Sequence, residues 1–160
     1  MGLYSPLVGD WEADVTDYDA DGTRRTSKGE WHFVWVLEGR ALQDVWIVPP
    51  RSVRRPGQSV VGNRYGTSLR VYDPATNVWH VTSINPVTGT TNTLLGRKQG
   101  DEIVQEGRDT DRSLVRWTFS DVTTQSFRWQ GEASTDDGKT WRLAAEFFGR
   151  RVHAGTTRDP

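Results

Sequence analysis

The chain has 160 residues, with 20 basic and 21 acidic side chains and a formal net charge of −1. This balance argues against a nucleic-acid partner, because such binders usually carry a basic excess. The absence of cysteine excludes disulfides, thiol catalysis and cysteine-ligated metals.

The ends of the chain lead to expectations about location and domain extent. The first residues have neither a basic segment nor an apolar segment of the kind that makes a signal peptide. No apolar run approaches the roughly 18 residues of a membrane-spanning helix. We therefore expect no membrane partner, a cytoplasmic location, one domain over residues 1–153, and a polar tail over residues 154–160.

Short alternating segments separated by turn residues follow one another along the chain, and none shows a sustained helical period. This pattern predicts an all-β fold, and we favour a single antiparallel up-and-down β-barrel of about ten strands, because closure removes exposed edge strands. A β-sandwich is the alternative. The predicted strands are 8–16, 25–37, 40–48, 65–72, 78–84, 90–97, 102–106, 113–120, 125–134 and 140–150.

One turn carries a recognisable motif. Ser134, Asp136, Gly138, Thr140 and Trp141 match the pattern S-x-D-x-G-x-T-W, which resembles the Asp-box. A carboxylate that folds back onto turn amides and a glycine with positive φ both suit a tight hairpin. The resemblance implies a structural hairpin and no catalysis.

Two further resemblances concern the fold. Gly9-Asp10-Trp11 resembles the G-x-W of the first strand of calycins, in which the tryptophan closes one barrel end under an arginine; Arg150 and Arg151 are the candidates for that arginine. The blocks 35–47, 69–74 and 116–119 look like an uncharacterised bacterial family of calycin-like (lipocalin- and fatty-acid-binding-protein-like) barrels of unknown function. The haem-binding nitrobindins are related by architecture, and His153 is the only C-terminal candidate for a haem ligand.

Alternation in the last three strands assigns an apolar face to the barrel interior. That face holds Val115, Trp117 and Phe119, then Phe127, Trp129 and Ala133, then Trp141, Leu143, Ala145 and Phe147. The tryptophans either fill a solid core or line a cavity. If the tryptophans line a cavity, the predicted ligand-binding residues are Trp35, Trp46, Arg70, Trp79, Trp117, Trp129 and Phe147.

Two residues are candidate acid–base groups. Asp44 alternates with Leu42 and Trp46, and Tyr72 shares its strand face with Arg70. A buried Asp beside a buried Arg is either a satisfied ion pair or a proton acceptor with a raised pKa. The three histidines have no metal-ligand spacing, so we predict no metal site.

These features favour a protein that binds a small hydrophobic or aromatic molecule in its barrel, without a cofactor. The alternatives are a cofactor-free isomerase or cyclase using the same cavity, a haem binder, and an interaction module with a filled barrel. A homodimer is kept as an option for the oligomeric state.

Overall fold

A computed structural model describes residues 2–153, which form ten antiparallel strands in one closed barrel. The strands follow one another in chain order, and β1 completes the circuit by pairing with β10. The predicted single antiparallel up-and-down barrel of about ten strands is therefore confirmed, and the β-sandwich alternative is wrong. The predicted tail, 154–160, lies outside the described residues. The strands are β1 Gly9–Tyr18, β2 Arg24–Val36, β3 Ala41–Val48, β4 Arg64–Asp73, β5 Val78–Asn85, β6 Thr90–Gln99, β7 Glu102–Arg108, β8 Leu114–Ser120, β9 Ser126–Ser134 and β10 Arg142–Arg151.

Two one-turn 3₁₀ helices, Ser5–Leu7 and Arg51–Val53, complete the regular structure. Within residues 2–153, no helix is long and apolar enough to span a membrane.

The first 3₁₀ helix closes one end of the barrel. Leu7 and the preceding Tyr4 are fully buried against the aromatic core. Trp11 is also fully buried, and its indole Nε1 donates a hydrogen bond of 2.7 Å to the carbonyl of Leu7. This bond fixes the short helix to the first strand, so the closed end and β1 form one unit.

The side chain of Arg151 packs against both the glycine and the tryptophan of the G-x-W sequence. Its guanidinium lies 4.1 Å from the Trp11 ring centroid and donates to the carbonyls of Val8 and Pro6 at 2.8 Å each. Gly9 has a φ of 128°, and a Cβ there would collide with Nη1 of Arg151. Of the two candidate arginines, Arg151 is therefore the one that covers Trp11. Arg150 points outward and pairs with Asp14 at 2.6 Å.

The residues of the S-x-D-x-G-x-T-W segment form a hydrogen-bonded hairpin between β9 and β10. Ser134 Oγ accepts from the Gly138 N–H at 2.9 Å and donates to Asp136 Oδ1 at 2.8 Å. Asp136 also accepts from the backbone N–H and the hydroxyl of Thr140, at 2.9 and 2.6 Å. The motif holds the turn through its own side chains.

A β-bulge corrects one prediction from alternation. The register of β10 against β9 shifts between Leu143 and Ala145, so Leu143 lies opposite Glu132 whereas Ala145 lies opposite Gly131. Trp141 consequently stacks on the Arg116 guanidinium at 4.0 Å on the outer surface. The prediction that Trp141 and Leu143 share the inner face with Phe147 is wrong, because one extra residue reverses the alternation.

Charged residues on the outer face pair across strands. Arg116 lies 3.0 Å from Glu132, and Arg128 lies 2.7 Å from Glu146. Exposed pairs of this kind contribute little stability individually. They show that β8–β10 face water on one side, as predicted.

The hydrogen bonds of Asp136 in this hairpin predict a dependence of stability on pH. Hydrogen bonds from Thr140 and then Ser134 lower the pKa of Asp136 to about 2. Because this folded-state pKa lies below the unfolded value of about 4, the carboxylate stabilises the fold above about pH 4 and this contribution is lost as pH falls toward 2. We expect Asp136→Asn to show a smaller drop in melting temperature over this interval than the wild type. Asp101→Asn is the surface control, and an acid profile unchanged by Asp136→Asn would contradict the assignment.

Candidate functional site

The barrel interior is packed near the end closed by Tyr4 and Leu7 and hollow toward the other end. Tyr72 and Trp79 border a separate cleft of about 700 Å³ beside the N-terminal segment at the closed end. Trp11, Phe119 and Phe127 pack without exposure in the filled half. The hollow half contains a cavity of about 260 Å³, placed where β5 ends and β6 begins. Both interpretations of the tryptophans therefore apply, each to one half of the barrel.

One wall of the cavity is aromatic. Trp129 lies 5.2 Å from Phe147 and 6.0 Å from Trp117, measured between ring centroids, and Trp46 lies 5.9 Å from Phe147. Trp31 closes the inner side of this wall, with its ring 5.9 Å from Trp129. Edge-to-face and tilted contacts of this kind stabilise aromatic clusters beyond their buried area.

Two inner-face glycines let the indole rings lie against the wall. A Cβ at Gly131 would approach the Trp129 ring to 2.6 Å, and a Cβ at Gly66 would collide with Trp46. Any larger residue at either position would push an indole into the cavity. The shape of the cavity thus depends on these glycines as much as on the tryptophans.

The opposite wall and the mouth are polar, with Arg64, Ser68, Ser83, Asn92 and Asp109 on the lining. Arg64 pairs with Asp17 at 2.5 Å and lies 5.7 Å from the Trp46 ring centroid. This ion pair joins β4 to β1, which are not neighbours in the sheet, so it crosses the inner faces of β2 and β3. It narrows the mouth on that side.

A buried ion pair lies beneath the cavity. Arg70 Nη1 donates to Asp44 Oδ2 at 2.5 Å, and Arg70 Nε donates to Gln105 Oε1 at 3.0 Å. Asp44 is completely buried and Arg70 is 1% exposed. The rings of Tyr4, Phe33 and Phe119 surround the guanidinium at 5.2 to 5.8 Å. The arginine is thus held in one position from several sides.

Burial raises the pKa of Asp44, and the charge and hydrogen bond of Arg70 oppose this rise. The indole N–H of Trp31 also lowers the pKa of Asp44, against the effect of burial. Within residues 2–153, neither Trp31 Nε1 nor Asp44 Oδ1 has a partner at full hydrogen-bond geometry. Arg70 borders the cavity whereas Asp44 does not. Arg70 therefore lies between the Asp44 carboxylate and the cavity.

The structure brings five of the predicted ligand-binding residues together around the cavity: Trp46, Arg70, Trp117, Trp129 and Phe147. Trp35 and Trp79 instead pack together at the closed end, with ring centroids 6.4 Å apart. Tyr72 lies there too, 5.3 Å from Trp79, and its hydroxyl donates to Asn77 at 2.9 Å. The two candidate acid–base groups, Asp44 and Tyr72, are consequently not brought together. A ligand-binding role for any of these residues stays a prediction.

Several cavity residues are not in the predicted set, namely Trp31, Arg64, Ser68, Ser83, Asn92 and Asp109. A sequence signal existed for some of them. Arg64, Gly66, Ser68 and Arg70 alternate along β4, so the prediction that Arg70 faces the cavity extends to the other three. Asn92 and Asp109 carry no such signal, because only the closed register places them at one rim.

No histidine of residues 2–153 lies on the cavity lining. His32 hydrogen-bonds Asp10 at 2.7 Å on the outer surface, His80 is exposed on β5, and His153 is exposed beyond the end of β10. The described residues also contain no cluster of three metal-ligating side chains. A haem bound through an imidazole would have no ligand in this cavity.

No family model matches the chain, and no curated protein matches it either. Solved structures do match. The S-type phycobiliprotein lyase CPES from Guillardia theta is 11% identical with a TM-score of 0.65, over 95% of this chain and 92% of that one. Rv2717c from M. tuberculosis is 13% identical with a TM-score of 0.66, over 96% of this chain and 99% of that one. The chain shares its barrel fold with these proteins. At such identities the likeness carries no residue roles.

Proposed function

We propose that the protein binds a small aromatic molecule in the open half of its barrel. The observation that carries the proposal is the cavity of about 260 Å³ with aromatic rings along one wall and polar groups on the other. Ligand sites are typically concave and mostly apolar, with a few polar groups that fix orientation. This volume lies just below the roughly 300–1,000 Å³ of sites for drug-sized ligands, so it suits a molecule of one or two fused rings.

The alternatives have less support. An isomerase or cyclase needs an acid–base group on the cavity, but Asp44 lies behind Arg70 and Tyr72 lies at the closed end. A haem binder would need a different ligand from histidine. An interaction module is expected to have a filled barrel, which does not agree with a hollow half. The S-type phycobiliprotein lyase supports the architecture only. The uncharacterised bacterial family, the cytoplasmic location and the homodimer stay predictions.

Filling the cavity tests the proposal. Ala145 lines the cavity and lies opposite Gly131, so Ala145→Phe should place a ring in the space that a ligand would use. We expect this variant to remain folded and to bind 2-naphthol at least about tenfold more weakly than the wild type in calorimetry, because lost burial of one ring exceeds 1.4 kcal/mol.

The matched control is Thr82→Phe, which adds the same ring to the exposed face of β5 and should leave binding unchanged. If neither 2-naphthol nor any other compound of a panel of one- and two-ring aromatics binds the wild type, the proposal is wrong. Equal loss of affinity in both variants would also contradict it, since it would place the site outside the cavity.

A further inference from the structure

The inner end of the cavity presents hydrogen-bond donors. Ser68 and Arg70 are adjacent on the inner face of β4, both border the cavity, and their exposed fractions are 4% and 1%. Arg70 uses Nη1 for Asp44 and Nε for Gln105. Among residues 2–153, neither the second Nη group of Arg70 nor the Ser68 hydroxyl has a partner at hydrogen-bond geometry. The charge of Arg70 also acts on the nearby Tyr4 hydroxyl, which itself donates to Gln105 Oε1 at 3.3 Å. Two buried donors are therefore available to whatever occupies the inner end.

The charge at this end is balanced. Asp44 lies 2.5 Å from Arg70 and compensates its charge. The acidic Asp109 lies at the mouth, just beyond the last residue of β7. An entering carboxylate would therefore bring an uncompensated negative charge next to a buried Asp, which is unfavourable through both desolvation and repulsion. A neutral carbonyl oxygen would accept the same hydrogen bonds without that cost.

We propose that the cavity selects neutral aromatic carbonyl compounds, that is aryl ketones, aryl aldehydes, lactones or quinones of one or two rings. The carbonyl oxygen points inward to Arg70 and Ser68, and the ring lies along Trp46, Trp117 and Trp129. This inference rests on the proposed function and adds the chemical class of the ligand. It also assigns Asp44 a positioning role, since this residue orients Arg70 and removes its net charge.

Three naphthalenes of nearly equal size separate the possibilities. 2-Acetylnaphthalene offers a neutral acceptor, 2-ethylnaphthalene offers none, and 2-naphthoate offers a charged one. We expect the ketone to bind at least about tenfold more tightly than either of the others, because a buried hydrogen bond from a charged donor is worth about 1.5–3 kcal/mol. Affinities are measured by calorimetry, with competition where solubility limits the titration.

Two variants assign the effect to these residues. Ser68→Ala should reduce the ketone affinity about fivefold and leave that of 2-ethylnaphthalene unchanged, because one neutral hydrogen bond is worth about 1 kcal/mol. Asp44→Asn removes the compensating charge from Arg70, so it should raise the affinity for 2-naphthoate above that of the wild type. If Asp44→Asn does not fold, the ketone affinity of Ser68→Ala alone tests whether the inner end binds the carbonyl.

The outcomes are distinguishable. Equal binding of the ketone and the ethyl compound would overturn the inference and leave the proposed function standing. Tightest binding of 2-naphthoate would overturn it as well, because the inner end would then be a site for anions. A ketone preference that survives Ser68→Ala unchanged would overturn the assignment to the inner end. Binding of none of the three would overturn the proposed function and the inference together.

Discussion

Arg70→Met should lower the free energy of unfolding by about 3–5 kcal/mol, which is the usual cost of removing one partner of a buried ion pair. Asp44 would then be completely buried with no cation beside it, and Gln105 Oε1 would lose its hydrogen bond from Nε. Methionine has a similar shape, so the loss comes from charge and hydrogen bonding more than from volume. Urea unfolding at neutral pH measures the change.

The double variant Arg70→Met with Asp44→Leu should recover most of this loss, because two apolar side chains need no compensation. Arg97→Met, an exposed change on β6, is the control and should be nearly neutral. In the single variant, loss of Arg70 raises the folded-state pKa of Asp44 further above its unfolded value. The deficit should therefore be small near pH 4 and grow as pH rises. A deficit independent of pH, or no recovery in the double variant, would contradict the ion-pair account.

Trp31→Ala should cost about 3–5 kcal/mol of stability, as large-to-small changes of buried aromatic residues do. Trp31 is 4% exposed and stands where the filled half meets the cavity. Its ring lies within 6 Å of five others, those of Phe33, Phe119, Phe127, Trp129 and Phe147. Removing it would join the cavity to the aromatic core and leave these rings without support.

Phe148→Ala is the matched control, because Phe148 is 42% exposed on the outer face of β10. We expect it to cost less than about 1 kcal/mol in the same urea experiment. Similar losses in the two variants would mean that Trp31 does not hold the core together in this way.

The sequence predicted the fold because local patterns determine it. Turn residues and alternation delimit each strand, and a chain of short strands joined by tight turns has few closed arrangements. The hairpin at Asp136 could be predicted for the same reason, since all of its hydrogen bonds lie within residues 134–140. The position of Trp11 at a barrel end was predicted by the resemblance of Gly9-Asp10-Trp11 to the calycin G-x-W, not by a local pattern.

The site was harder to predict because it depends on contacts between distant strands. On β4, Leu69 and Val71 look like the core face, yet they are 37% and 41% exposed, whereas Arg70 is buried. The reason is Asp44 on β3, whose register places it opposite Ser68 and next to Arg70. No local pattern shows that pairing.

The same limit applies along the barrel axis. Alternation places Trp35, Trp46 and Trp79 inside, but only the closed register shows which end each occupies. The bulge near Leu143 could not be predicted either. One inserted residue there reverses which side chains of β10 face inward on its N-terminal side.

A ¹⁵N NMR titration of the indole N–H signals with 2-naphthol tests the central claim most directly. Eight tryptophans give eight signals, and those of the four that line the cavity, Trp31, Trp46, Trp117 and Trp129, report on it. Trp11, bonded to the Leu7 carbonyl at the closed end, is the internal control. We predict saturable shifts of the four cavity signals at one common affinity, with the Trp11 signal unmoved. Absence of any shift with 2-naphthol and with every other one- or two-ring aromatic of the panel, or shifts confined to Trp35 and Trp79 at the closed end, would contradict a ligand site in the open half of the barrel.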